Sequence, residues 1–425
     1  MLRPHIVILG AGFGGTYVGK KLARHVRAGE VDVTIVDRSN YFLFTPLLHE
    51  VATGALSPRS VAEPLREIFE GTGVRIVQGA VVSVDLTGKS IKLDGGGGIV
   101  ALAYDYLVIT TGAETNYYGI PGAAELAMPL KSLLDAARLR NRVIDAFEQA
   151  VLTEDPGRRK ALLSFAVVGG GPTGVETAAE LAGFTKGIAR RYYDGSHCRP
   201  GDPRSCEPEE VTVTLVNSGK EILGMFDPGL RASAEARLRK NGVEIRNGVA
   251  VTRVTPTGLE TADGQAIQAA TVIWTAGVKA RVPSFEGIEP VLSGGRLAVD
   301  GYFHLVGNDH VFVLGDAAAY VENEKALPML AQVATTEARA VAANIMSAVE
   351  GNALHGFHYH SRGSMVSVGQ WFAIGDVFGL KLSGRLTWWL WRTVYLFKFA
   401  SWRKRVRIAF EWAFELISPR DITKI

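Results

Sequence analysis

Two short apolar runs without polar alternation organise the chain. His5-Ile-Val-Ile-Leu9 and Phe165-Ala-Val-Val168 have the pattern of strands buried on both faces of a parallel sheet. Each opens directly into glycines, Gly10-Ala-Gly12-Phe-Gly14-Gly15 in the first case and Gly169-Gly-Gly171-Pro-Thr-Gly174 in the second. Helical spacing comes next, through Val18, Leu22 and Val26 and through Val175, Ala179 and Leu181. The next strands are Val33-Thr-Ile-Val36, which ends on Asp37, and Val211-Thr-Val-Thr-Leu-Val216, which ends on Asn217.

Strand, spaced glycines, helix, strand and terminal acid together form a dinucleotide-binding arrangement, and its recurrence predicts two dinucleotides in one chain. In the first unit Gly10 permits a tight turn, Gly12 lets backbone approach a pyrophosphate, and Gly15 lets helix and strand pack closely. The helix N-terminus turns unpaired N–H groups toward the phosphates. Asp37 stands where a carboxylate accepts from ribose hydroxyls.

Three segments read as returns to these units: Tyr106-Leu-Val-Ile-Thr-Thr111-Gly112-Ala, Thr271-Val-Ile-Trp-Thr-Ala276-Gly277-Val, and Val311-Phe-Val-Leu-Gly315-Asp316-Ala317-Ala. The last is expected to end on an acid at a helix start. In a flavin site Asp316 would hold the ribityl chain, and the helix N–H groups would stabilise charge on the ring. Leu133 to Leu152 has polar and apolar residues in helical register and reads as a connecting helix.

Length and composition narrow the class. A chain of 425 residues, 47% hydrophobic and 21% charged, should hold two or three folded domains and is not globally disordered. The two cysteines, Cys198 and Cys206, cannot form a disulfide framework, which fits a reducing compartment. No signal peptide is read at the N-terminus, and no run of 18 apolar residues predicts a spanning helix. Proton pumping is therefore not expected.

The motifs resemble the two-dinucleotide flavoproteins and, within them, the type II (alternative) NADH:quinone oxidoreductases. The resemblance runs from about residue 4 to the C-terminus. It rests on Asn40-Tyr-Phe-Leu-Phe-Thr-Pro46-Leu-Leu-His-Glu-Val-Ala-Thr-Gly54, Thr111-Gly-Ala-Glu-Thr-Asn116-Tyr-Tyr-Gly119, Gly169-Gly-Gly-Pro-Thr-Gly174-Val-Glu176, Trp274-Thr-Ala-Gly277-Val-Lys-Ala280 and Gly315-Asp316-Ala-Ala. It implies FAD as cofactor, NADH or NADPH as hydride donor and a membrane quinone, ubiquinone or menaquinone, as acceptor. By the same resemblance Gly10, Gly12, Gly14, Gly15, Asp37, Arg38, Pro46, Val82, Thr111, Gly112, Asp316 and Ala317 lie along FAD. Gly169, Gly171, Gly174, Asn217, Ala276 and Gly277 lie along the nicotinamide nucleotide. Glu176 and Gln332 are the candidate catalytic residues. The plainer alternative for Glu176 is a first-turn acid that favours the helix dipole.

Three departures stand out. Asn217 replaces the family's usual Glu, so repulsion of a 2′-phosphate is missing and NADPH is expected to be accepted, with Ser218 and Lys220 as phosphate contacts. In Ala331-Gln332-Val-Ala334-Thr-Thr336-Glu337, Thr336 and Glu337 replace paired glutamines of the quinone segment. The alternative there is a plain helix start that packs the domain. An insertion, residues 190–208, is rich in Gly, Pro and charge and reads as an exposed loop. A metal on His197, Cys198 and Cys206 would need a fourth ligand, and a disulfide stays open.

Six of the seven tryptophans lie beyond residue 370, and seven basic residues with no acid lie between Arg385 and Arg407. Trp388, Trp391, Tyr395, Phe399 and Trp402 share a face at helical spacing, the composition of a helix lying in a membrane interface. Ile408, Trp412 and Leu416 suggest a second short helix. The alternative is a helical pair packed on the protein or a second subunit. Nucleic-acid binding is not expected, because the aromatics form a stripe and not a stacking platform.

The fold expected is α/β, with two Rossmann-like, glutathione-reductase-like dinucleotide domains and an amphipathic helical tail. FAD would bind a domain built from residues 1–120 and 300–355, and NAD(P)H a domain at 121–299. Residues 356–425 would contact a membrane or a second copy in a homodimer, at the cytoplasmic face of the cell membrane, peripherally. A sulfide:quinone-type enzyme would need cysteines flanking the flavin, and there is no Cys-x-x-Cys. A membrane-bound signalling flavoprotein without rapid turnover, or one with a different acceptor, is the remaining rival.

Overall fold

Residues 3–193, 206–399 and 401–424 are described in the computed structural model. The chain forms two units, each drawn from three stretches. One unit takes 1–43, 62–114 and 278–361, and the other takes 44–61, 115–277 and 362–425.

In the first unit a six-stranded sheet runs in the order His304–Leu305, Asn308–Val313, Tyr106–Ile109, His5–Leu9, Asp32–Asp37, Arg75–Gln78. All neighbours are parallel except the His304–Leu305 edge pair. Ile8 lies in register with Ile35 on one side and Val108 on the other, so Ile6 to Leu9 are wholly buried. Burial on both faces is why this strand needs no polar alternation. An antiparallel meander, Ala80–Asp85, Ser90–Asp94 and Ile99–Ala103, precedes the returning strand and packs Val84, Ile91 and Leu93 into the same core.

The second unit repeats the plan. Its parallel sheet runs Met128–Pro129, Thr271–Trp274, Ser164–Val168, Thr212–Asn217, Val243–Asn247. Again an antiparallel meander, Val251–Thr255, Gly258–Thr261 and Ala266–Gln268, precedes the returning strand. The connecting helix spans Leu133–Leu152, where sequence spacing placed it. A capping box starts it: Ser132 Oγ accepts the Asp135 N–H and the Asp135 carboxylate accepts the Ser132 N–H at 2.8 Å.

Residues 362–425 add a three-stranded antiparallel sheet, Gly363–Ser367, Ala373–Val377 and Leu380–Gly384, then helices Arg385–Lys398 and Trp402–Glu415. Among the described residues no helix is long and apolar enough to cross a membrane. Both tail helices form as expected, but the stripe expected to meet a membrane is mostly core. Trp388, Trp391 and Phe399 are 1%, 0% and 1% exposed, and only Trp402 of the set faces solvent. The Arg392 guanidinium explains this. It sits 3.9 Å from the Trp388 ring and 4.9 Å from the Trp412 ring and pairs with Glu415, so the aromatics enclose the protein's own ions.

Of the 190–208 insertion, His197 and Cys198 lie outside the described residues, while Cys206 is buried. No metal-holding cluster of His, Cys, Asp and Glu occurs among the described residues.

Candidate functional site

Both glycine turns use the same contacts. Gly10 has φ +97° and Gly169 φ +118°, values that side chains with a Cβ rarely adopt. A Cβ on Gly15 would overlap the Gly10 carbonyl oxygen, and one on Gly174 would overlap that of Gly169. The third glycine thus brings each helix down onto its strand. A threonine braces each turn: Thr110 Oγ1 donates to the Leu9 carbonyl at 2.9 Å, and Thr275 Oγ1 donates to that of Val168 at 2.8 Å. Sequence reasoning missed this pair, although a threonine follows directly on both returning strands.

The middle glycines behave differently. A Cβ on Gly12 or Gly171 would meet nothing within 4 Å. Each is the N-cap of the helix that follows its turn, Phe13–Ala28 or Pro172–Ile188, with no side-chain cap and no acid in the first turn. Open space over the N–H groups of a helix start suits a phosphate, so the residues present fit a dinucleotide at each turn.

The second strands end differently in the two units. Asp37 Oδ2 accepts the Ala11 N–H at 2.7 Å and Oδ1 accepts the Ser39 N–H at 2.7 Å, which ties the acid to the glycine turn. Asn217 is buried, and its amide nitrogen lies 3.0 Å from Gly219 O, Glu221 O and Asn247 Oδ1.

Other flavin-side candidates of the first unit are spread along strand ends. Arg38 is exposed beyond Asp37, and Val82 is exposed on the meander. Thr111 Oγ1 donates to the Arg281 carbonyl at 2.5 Å, and the Gly112 carbonyl accepts the Arg281 N–H. Gly14 lies against Leu314 and Thr110. Gly315–Ala317 is one turn of 3-10 helix that leads into the short strand Ala318–Ala319. The helix expected to start at Asp316 is therefore absent, and with it the dipole assigned there. Gly315 turns the chain at φ +70°, and the next long helix begins only at Ala331.

That helix, Ala331–Glu350, carries Gln332, whose carbonyl accepts the Thr336 hydroxyl at 2.8 Å. Glu337 is 1% exposed, and its Oε2 accepts the Gly315 N–H at 2.6 Å. Burial pushes its carboxyl up to about 7. Asp316 adds to the push, and the Gly315 N–H and Arg296 oppose it.

In the second unit, Ala276 and Gly277 follow the returning strand Thr271–Trp274, and Tyr118 stands over them. Pro46 lies in the 3-10 turn Thr45–Leu47 that leads into helix Leu48–Ala52. Glu176 is not a first-turn acid. It lies on the buried face of Pro172–Ile188, 6% exposed, and its Oε1 accepts the Ser367 N–H at 3.3 Å. Burial raises its carboxyl well above the usual range. His49 Nδ1 is 3.7 Å from Glu176 Oε2, but burial lowers the imidazole to about 3, so this is no ion pair. Sequence reading named Glu176 and missed the buried neighbours Glu50, Glu180, Glu415 and Arg420. The i,i+4 spacing of Glu176 and Glu180 was a readable sign of a shared face.

A chain with two such turns, each fitted to a pyrophosphate, is a two-dinucleotide oxidoreductase. The family model for pyridine nucleotide-disulphide oxidoreductases matches residues 4–338, and that for the NDH2 C-terminal domain matches 361–421. A type II NADH:quinone oxidoreductase of Mycobacterium tuberculosis is 33% identical over 430 residues, covering 98% of this chain and 89% of that protein. An internal alternative NAD(P)H-ubiquinone oxidoreductase of Arabidopsis thaliana mitochondria is 31% identical over 466 residues, covering 100% and 86%. The structure of NDH2 from Plasmodium falciparum in complex with NADH superposes with a TM-score of 0.88 over the whole of both chains at 21% identity, a likeness of fold. This chain belongs to the type II NADH:quinone oxidoreductases, flavoproteins of the pyridine nucleotide-disulphide oxidoreductase family.

Proposed function

We propose that the chain oxidises NADH or NADPH at the Gly169–Gly174 turn and passes the electrons, through FAD held at the Gly10–Gly15 turn, to a membrane quinone. The observation that carries this is the repeated turn, with its third glycine pressed on the first and its middle glycine open. FAD, when bound, supplies hydride acceptance and two-electron transfer to the quinone. The chain's own residues bind and orient. Gly12, Gly14 and Gly15 admit the pyrophosphate, Asp37 meets the ribose, and Asp316 and Ala317, with Thr111, Gly112, Arg38, Val82 and Pro46, line the remainder. Gly171 and Gly174 receive the nicotinamide nucleotide, with Ala276 and Gly277 beside it. Glu176, whose carboxyl burial raises well above the usual range, supplies a proton to the reaction. Gln332 stands at the quinone end.

Anaerobic stopped-flow tests the reading. Flavin bleaching is monitored with NADH and with NADPH, then recovery with a series of quinones. Protein that emerges colourless and refuses added FAD would end the proposal.

The tail contacts a membrane mostly through residues outside the stripe read from spacing, with Trp402 of that stripe among them. Leu386, Phe397, Trp402, Phe410 and Phe414 are exposed, Leu386 at 85% and Phe410 at 73%, with Arg403 and Arg407 exposed among them. Exposed aromatics beside basic residues suit an anionic lipid interface, and the cytoplasmic leaflet is the side assigned. A homodimer is the alternative cover for this face. Replacing Phe397, Phe410 and Phe414 by serine should abolish flotation with anionic vesicles and leave flavin content intact.

A further inference from the structure

Four carboxyls and two guanidiniums share one buried cluster in the second unit. Glu180 and Glu415 are matched. Arg420 donates to both, to Glu415 at 2.9 Å, and Arg392 donates to the other Glu415 oxygen at 2.7 Å. Glu50 and Glu176 receive only neutral donors among their hydrogen bonds: the Trp412 indole N–H to Glu50 at 2.7 Å and the Ser367 amide to Glu176 at 3.3 Å. Glu50 is 3% exposed and Glu176 6%. Four negative charges against two positive would leave two uncompensated charges where they are expensive. Two protons close the balance, and the carboxyls without a guanidinium are their places.

The surroundings of Glu50 agree. Its own helix contributes His49, held neutral by burial. Helix Pro172–Ile188 contributes Glu176 and Glu180, and helix Trp402–Glu415 contributes Glu415. Helix Arg385–Lys398 contributes Arg392 and the Tyr395 phenol, which lies near Glu176. From helix Leu133–Leu152, Arg140 is engaged by Asp421 at 2.8 Å and by the Thr423 carbonyl at 2.7 Å. Burial pushes Glu50 up to about 8, against the pull of Arg392 and with a further push from Glu415 and Glu180. A cavity of about 460 Å³, lined by residues that include Leu56, Phe414, Glu415 and Arg420, borders the cluster on its Glu415 and Arg420 side.

We propose that Glu50 is a proton store that refills Glu176 during quinone reduction. The proposal rests on the functional reading above. After Glu176 gives a proton to the reaction, an O–H bond breaks on Glu50 and one forms on Glu176, the proton crossing the cluster between them. Glu50 then takes one proton back from solvent. No electrons move in these steps, and the pair ends as it began. Glu50 acts through Glu176 and touches neither nucleotide.

The test uses the full-length, FAD-loaded protein and its Glu50→Gln variant. Infrared spectroscopy at neutral pH should show a protonated-carboxyl band that is smaller in the variant. Flavin reduction by NADH should be unchanged, while reoxidation by a short-chain quinone should slow by about tenfold. In the wild type reoxidation falls as pH rises through about 8, because the store empties, and in the variant that limb is gone. Trp412→Phe removes the donor that favours the carboxylate, so its limb should move to higher pH. This variant carries the test if Glu50→Gln loses FAD. An unchanged band, or wild-type reoxidation with the same limb in Glu50→Gln, overturns the proposal and leaves the functional reading standing. A wild-type protein that NADH bleaches but no quinone reoxidises overturns both.

Discussion

The two glycine turns begin alike and end differently. At the end of Asp32–Asp37 a carboxylate accepts two backbone N–H groups, from Ala11 and Ser39. At the end of Thr212–Asn217 a carboxamide directs its NH2 at Gly219 O, Glu221 O and Asn247 Oδ1. The first end is built of donors around a negative charge. The second sets three acceptors around a neutral amide NH2, with one donor, the Gly219 N–H, on Oδ1 at 3.2 Å. On the function proposed above, the scaffold would hold the pyrophosphate in both units, and the residue that ends the second strand would set which ribose chemistry is accepted. A fixed acid would serve the prosthetic dinucleotide, and a neutral end that does not repel a 2′-phosphate would serve the co-substrate.

Substituting the third glycines should break the comparison most strongly. Gly15→Val and Gly174→Val each drive side-chain atoms into a carbonyl oxygen, and overpacking on this scale costs about 3 kcal/mol or more, roughly 100-fold in binding. Gly15→Val should purify without flavin. Gly174→Val should keep its yellow colour, and its reduction by NADH, measured by stopped-flow, should fall by a similar factor. Loss of flavin from Gly174→Val would show that the two turns are not independent.

Each unit also contains a buried carboxyl that prefers its proton, and this sharpens the comparison. The folded-state values are raised, to about 7 for Glu337 and about 8 for Glu50. The stability each contributes is therefore complete below the ordinary glutamate range and is lost as pH rises through about 7 and about 8 respectively. Thermal melts should fall from mildly acidic to alkaline pH. Glu337→Gln should flatten the lower part of that slope by about 3 kcal/mol at most. A slope unchanged in Glu337→Gln would place the titration elsewhere.

Asp37→Asn keeps the shape and removes the charge behind two hydrogen bonds. FAD should dissociate roughly 30-fold more readily, about 2 kcal/mol, as read by equilibrium dialysis. The smallest change is expected from Asn217→Glu, which restores an acid at the second strand end. The ratio of kcat/KM for NADPH to that for NADH should drop by about tenfold, or about 1.4 kcal/mol. A ratio that does not move would assign nucleotide choice to Ser218 and Lys220.

Much of the fold was legible because it is local. The buried strands at His5–Leu9 and Ser164–Val168 announce themselves by unbroken apolar runs, and glycine spacing places both helix starts. Helix Leu133–Leu152 keeps one apolar face over its whole length, so its register could be read. Asp316 misled because a strand ending on an acid is equally compatible with a long helix and with a single 3-10 turn. Only the short strand Ala318–Ala319, paired with Arg296–Ala298, excludes the helix.

The sequence alone determined the two nucleotide turns, the strands that support them and the helical character of the tail, since each depends on residues within a few positions of one another. The tertiary structure decided which side of the tail is core and which side meets solvent. Periodicity defines a stripe but not its partner, and Trp388 and Trp391 found theirs in Arg392 and Trp412. It alone also decided that Glu50 would meet Trp412, 362 positions away, and that Arg420 would close on Glu180. Burial and charge pairing are long-range properties, set by which segments pack together and not by the order in which they are joined.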